Sequence, residues 1–216
     1  DVDLVVDRLV ELGFNLVRID HHGKGDYVKG DNTEASLSDY FVHRFKEAGG
    51  KIWSTGLGHA AGSAKPEDVD IVNDSATSAG WKSAMDEWQK KNGNRPIVLR
   101  DNVARIWDKR LEAIGIANMK KSMGKVNLYT GMRRADDPVY AIWELSNEEG
   151  WMARMTGGEW QQIPKFFQDG LFTQWQEFLR KKYRSDDSLR KAWGFLLPGE
   201  SLKDNSVVLT PIRSST

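Results

Sequence analysis

Ser146, Asn147, Glu148 and Glu149 form a polar cluster that follows at once on an apolar run, Val139-Tyr-Ala-Ile-Trp143. β-branched and aromatic residues without interruption are the pattern of a strand buried on both faces, as in a parallel sheet. Polar residues at the carboxyl end of such a strand lie where α/β folds place their ligands, and a carboxyl group there can exchange a proton with one. A blander reading applies to the same residues. Carboxylates also open helices, where negative charge suits the dipole. We adopt that reading for Glu149 and the chemical one for Glu148.

A second candidate lies near the start of the chain. Residues 14–20, Phe-Asn-Leu-Val-Arg-Ile-Asp, read as a strand. Alternation puts Val17 and Ile19 on the face toward the helices, and Arg18, Asp20 and His22 on the other. A guanidinium beside a carboxylate holds it ionised and oriented by charge-assisted hydrogen bonds. Asp20-His21-His22 has metal-ligating residue types. Neighbouring strand residues point to opposite faces, so His21 and His22 make a poor chelating pair and no metal is expected.

The elements that must position these groups are legible from periodicity. Residues 1–12 predict an amphipathic helix with Val2, Val5, Val6, Leu9 and Leu12 on one stripe, stopped by Gly13. Leu37, Tyr40, Phe41, Phe45 and Ala48 mark a second helix, ended by Gly49-Gly50. Residues 51–55 predict a strand, with Gly56-Leu-Gly-His59 beyond its carboxyl end. Residues 60–105 are weakly patterned and read as a long insertion on the active-site face of the domain, with Pro66 opening a short helix and Trp81, Trp88 and Trp107 as walls of a cleft. Residues 93–96, Gly-Asn-Arg-Pro, read as a turn. A helix over 108–123 returns the chain to the strand after Asp136-Asp137-Pro138. Beyond Trp151, a loop with Met152, Met155 and Trp160 leads to a strong helix over 164–183 whose buried side carries Phe166, Phe167, Leu171, Trp175, Phe178 and Leu179. A short helix ends at Trp193-Gly194, and residues 206–211 read as an edge strand.

The text Trp143-Glu-Leu-Ser-Asn-Glu148, after Asp-Asp-Pro138, resembles clan A of the glycoside hydrolases, in particular the family 5-like cellulases and mannanases. Phe14-Asn-Leu-Val-Arg-Ile19, Asn127-Leu-Tyr-Thr-Gly131 and Leu189-Arg-Lys-Ala-Trp-Gly194 are similar to segments of the same group, in the same order. The resemblance implies a (β/α)8 TIM barrel, of which this chain would hold roughly strands 2 to 4 and their helices. It implies Glu148 as general acid/base and Asn147 as the hydrogen-bonding partner of the sugar 2-hydroxyl. It also implies that Arg18 orients the nucleophile and that His59 touches the sugar, although the glycines flanking His59 depart from the usual pattern. His22 and Trp151 are further candidates for contact with substrate.

Retaining hydrolysis needs two carboxyl groups about 5–5.5 Å apart. Glu149 cannot serve as the second, because adjacent residues cannot close on opposite sides of one anomeric carbon. Glu144 reads as an interior hydrogen-bonding group. A whole barrel takes about 250 residues, and only three strands are convincing here. The expectation is therefore a partial glycoside hydrolase domain over residues 1–216, inactive by itself, whose nucleophile and remaining strands lie in the rest of the same catalytic domain.

Composition excludes several classes. The 216 residues carry 31 basic and 31 acidic side chains, so nothing suggests a nucleic-acid or anionic-membrane partner. There is no cysteine, hence no disulfide or thiolate metal site. No apolar run reaches membrane-span length. Nine Trp, eight Phe and five Tyr suit both core packing and a carbohydrate partner. No cofactor is expected, and secretion or a periplasmic location is implied by analogy alone. Two alternatives stay open: a barrel that binds glycans without turning them over, and a different α/β enzyme such as a metal-dependent hydrolase.

Overall fold

The computed structural model describes residues 1–19, 37–55, 61–68, 78–99, 102–145 and 151–209, with Trp151 described in its backbone alone. The described elements run α1 (Val2–Glu11), β1 (Leu16–Ile19), α2 (Leu37–Glu47), β2 (Lys51–Ser54), β3 (Ser63–Ala64), α3 (Ser78–Lys91), β4 (Ile97–Val98), α4 (Lys109–Met123), β5 (Tyr140–Trp143), α5 (Trp151–Thr156), α6 (Lys165–Tyr183) and α7 (Asp186–Trp193). Single 3-10 turns lie at Pro66–Asp68, Val103–Ile106 and Glu159–Gln161. Two compact units result, one from Asp1–Gly62 with Gly115–Glu149, the other from Ser63–Ile114 with Gly150–Thr216.

The first unit is built on a parallel sheet in the order β1-β2-β5. Its register pairs Arg18 with Trp53 and Trp53 with Ile142. Val17, Ile19, Ile52, Tyr140 and Trp143 share a core with Val6 of α1 and Val42 and Phe45 of α2. The helix-facing side of β1 is thus the one alternation predicts. Asp1 caps α1 by accepting the Asp3 N–H at 3.0 Å. Only part of the α1 stripe is used: Val6 is buried and Val2 and Leu9 pack on the core, whereas Val5 and Leu12 are exposed. Gly49, at φ +83°, ends α2, and a Cβ on Gly50 would fall 2.4 Å from the Phe45 ring. That close approach lets the chain turn directly from α2 into β2.

The chain is mixed α/β with a small parallel sheet, and this sheet is open: no barrel closes among the described residues. The expectation that β5 is buried on both faces needs correction. Val139 and Tyr140 are buried, but Ile142 is 41% exposed. Between Ile52 and Trp53 the register against β5 slips by one residue, which turns Ala141 and Ile142 away from the helices and returns Trp143 to them. An unbroken apolar run therefore marks a one-sided strand with an irregularity, a pattern indistinguishable by sequence from a two-sided one.

In the second unit the region read as a weakly patterned insertion contains α3, whose buried residues are Trp81, Ala84 and Met85. Its apolar stripe is narrow, and Gly80 disguises a contact surface: a Cβ there would meet the Phe166 ring of α6 at 2.7 Å. Trp81 and Trp107 are core residues and not cleft walls. Trp81 packs edge-on against Phe167 at 5.9 Å, and Trp107 Nε1 donates to the Phe167 carbonyl at 2.8 Å. Pro66 opens only a 3-10 turn, and Gly93 and Asn94 take the positive φ of the expected turn. The loop anticipated after Trp151 is helix α5 followed by a turn that buries Trp160. α6 and α7 match expectation, with Ser185 capping α7 and Gly194 stopping it, although Phe178 is exposed. Residues 206–209 form no strand; Val207 instead packs with Leu179, Leu189 and Leu202.

Candidate functional site

The carboxyl end of the three-stranded sheet gathers the described residues with chemical potential. The strands are tied together there by backbone. Thr55 N–H donates to the Ile19 carbonyl at 3.1 Å, and Glu144 N–H donates to the Ser54 carbonyl at 2.8 Å. On the face away from the helices, Arg18 grips Glu144 with two bonds. Its Nε donates to Oε2 at 3.1 Å and its Nη2 to Oε1 at 2.9 Å. The guanidinium also lies over the Trp53 ring, 5.4 Å from the centroid. A planar fork matches a carboxylate in this bidentate manner, and an aromatic face favours the cation further.

This pairing is a consequence of register. Arg18 sits beside Trp53, Trp53 beside Ile142, and Glu144 lies two residues beyond Ile142 on the same face. The carboxylate is well covered and the arginine less so, with side-chain exposures of 13% and 45%. Hydrogen bonding from Arg18 holds the Glu144 carboxyl below the ordinary value of 4.5, against an opposing push from burial. The Trp53 indole adds a minor lowering from nearby, although its buried Nε1 forms no hydrogen bond of normal geometry. Because the folded value is depressed, the pair's stabilising effect is complete above the unfolded value and is lost as pH falls through the folded one. A carboxyl-detected NMR titration should give a Glu144 midpoint below that of free glutamate, returning to the ordinary range in Arg18→Met. A midpoint indifferent to Arg18 would contradict this account of the pair.

Of the residues singled out from sequence, Arg18 is on this face. Asn147, Glu148, His22 and His59 lie outside the described residues. Trp151 opens α5. Among the described residues no group of three or more His, Asp or Glu is arranged to hold a metal ion. The segment Asn127-Leu-Tyr-Thr-Gly131 is a closed turn in which Asn127 Oδ1 accepts from the N–H groups of Tyr129 and Thr130 at 2.9 and 3.3 Å. Its role is to bring the chain back toward β5. Sequence reasoning missed Glu144 as the partner of Arg18. The signal that could have found it is the shared face of two strands that are neighbours of β2, and it needs the register to be read. Compared with family models, with curated proteins and with solved structures, the chain matches none.

Proposed function

We propose that these residues belong to the catalytic domain of a retaining β-glycoside hydrolase acting on an oligo- or polysaccharide, with Glu148 as general acid/base. The observation that carries the proposal is that Asn147-Glu148 follow in sequence, a few residues on, a strand that runs parallel to two others and whose carboxyl end carries the Arg18–Glu144 pair. In this reading β1, β2 and β5 are three of the eight strands of a barrel. The face bearing Arg18, Trp53 and Glu144 is its interior, and the nucleophile carboxylate comes from outside the 216 residues.

The chemistry runs in two steps. Glu148 gives its proton to the departing glycosidic oxygen while the nucleophile attacks the anomeric carbon. Glu148, now a carboxylate, takes a proton from the water that releases the sugar. Asn147 orients the substrate through the 2-hydroxyl. Arg18 holds Glu144, and its charge favours a second carboxylate nearby. Glu144 is a poor proton donor, because hydrogen bonding from Arg18 favours its ionised form.

The test is stereochemical. Incubating the full-length protein with a panel of β-glucans and β-mannans should yield the β-anomer as the first-formed reducing sugar, read by proton NMR before mutarotation. An α-anomer formed first would exclude the double-displacement route. Tight glycan binding with no new reducing ends would favour a binding protein over an enzyme.

A further inference from the structure

We infer that the second unit carries a binding site for a neutral, polyhydroxylated ring of monosaccharide size, in a cavity between α3, the Val103–Ile106 turn and the Glu159–Gln161 turn. The cavity has a volume of about 330 Å³, at the lower end of the range for small-molecule sites. This site is independent of Glu148 and of the catalytic reading.

Three features select the ligand. The first is an open donor on a largely buried residue. Asn102 is only 6% exposed and lines the cavity. Its Oδ1 is committed to the Ala104 N–H at 2.8 Å, while its Nδ2 meets no acceptor among the described residues. A carboxamide donor that no protein group engages is available to a hydroxyl oxygen in the cavity. The second is an apolar wall of Trp88, Val103 and Ile163, which suits a C–H face better than a polar plane. The third is charge balance. Lys91 Nζ donates to the Gln162 carbonyl at 2.7 Å, and the Glu159 carboxylate lies 3.5 Å from Arg154. The lining holds one ammonium, Lys91, and one carboxylate, Glu159, so it carries no net charge to favour an anion or a cation. What remains is one aromatic face, one open amide donor, and the Glu159 and Gln162 side chains as further polar groups. A neutral ring with hydroxyls at its edge and C–H bonds on its face uses all of them. A charged ligand would be drawn to one of the two lining charges and repelled by the other.

The experiment is a titration of the 216-residue chain with glucose, mannose, galactose and xylose, followed by 15N-detected NMR of the tryptophan indole and asparagine side-chain resonances. The Trp88 indole is assigned by its loss in Trp88→Phe. The expected result is a saturable shift of the Trp88 indole and Asn102 carboxamide signals by at least one of these sugars, with a Kd on the order of 1–10 mM. Asn102→Asp keeps the oxygen that caps the turn but removes the donor, and should weaken binding about tenfold or more. Trp88→Ala, which strips the wall without touching the cap, should do the same. The inference is overturned if no sugar produces a saturable shift well above that concentration range, if alanine or inorganic phosphate shifts the same signals as strongly, or if Asn102→Asp binds as the parent does.

Discussion

Replacing Glu148 by Gln in the full-length protein is expected to slow hydrolysis of natural β-glycans by roughly 10²–10⁴-fold, the usual worth of a positioned general acid or base. The size of the effect depends on the leaving group. A sugar alkoxide leaves only if it is protonated, so the natural substrate loses the full benefit. A dinitrophenolate leaves without help, so formation of the glycosyl-enzyme survives and its hydrolysis becomes limiting, because the attacking water has lost its base. Azide needs no base. It should restore turnover on the activated substrate and yield a β-glycosyl azide. Glu149→Gln provides the contrast, since a carboxylate that merely opens a helix contributes a few tenths to about 1 kcal/mol of stability and nothing to the chemistry. A natural-glycan rate unchanged in Glu148→Gln would defeat the assignment, as would an equal loss in Glu149→Gln.

Asp39→Ala should destabilise the first unit by about 3–5 kcal/mol, the cost of leaving one member of a buried ion pair behind. Asp39 lies in α2 and is 1% exposed. Arg134 Nη2 donates to its carboxylate at 3.2 Å, Lys125 Nζ lies 3.8 Å away, and Asn127 Nδ2 donates to its backbone carbonyl at 2.9 Å. Close by in sequence, Lys46 Nζ contacts Asp137 at 2.8 Å, and the same Asp137 oxygen accepts from the Val139 N–H at 3.0 Å. These contacts clamp the turn at residues 136–138 onto α2 and set where β5 begins. Tyr140 follows with a buried hydroxyl that has no hydrogen-bond partner among the described residues, and burial pushes it up to about 12. Removing the Asp39 carboxylate strands the Arg134 guanidinium, whose side chain is mostly buried. Substituting both partners by apolar residues, Asp39→Leu with Arg134→Met, should cost markedly less than the single change, because neither member of that pair is then left buried without the other. Hydrogen exchange at the amides of β1, β2 and β5 is the suitable measurement. A chain with two compact units need not unfold in one step, and a global melt could miss the loss. If the double variant proves as unstable as Asp39→Ala, the ion pair is not the source of the effect.

Local pattern made much of this molecule legible. Val17 and Ile19 point to the helices because a strand alternates, and Arg18 therefore points the other way. Asp1, Ser185, Gly49 and Gly194 delimit helices for reasons that act within a few residues, by side-chain capping or by tolerance of positive φ. Where the reading failed, the missing information lay far away in the chain. α3 was obscured because a narrow stripe with a glycine is enough once Phe166 of α6 fits against it. Trp81 and Trp107 looked like cleft residues because a ring's type says nothing about whether another ring, Phe167, will cover it.

Residue type and spacing suffice for the polar cluster after an apolar strand, the alternation that sets Arg18 opposite the core, and the neutral, cysteine-free composition. These depend on residue type and on periods of two and 3.6, which one stretch of chain carries alone. The pairing of Glu144 with Arg18, the one-sided cover of β5 and the place of Asn102 in the lining of a cavity arise only on folding. Each of those depends on register or packing between segments remote in sequence. A one-residue slip between strands reverses which side chains meet, and no local pattern records it.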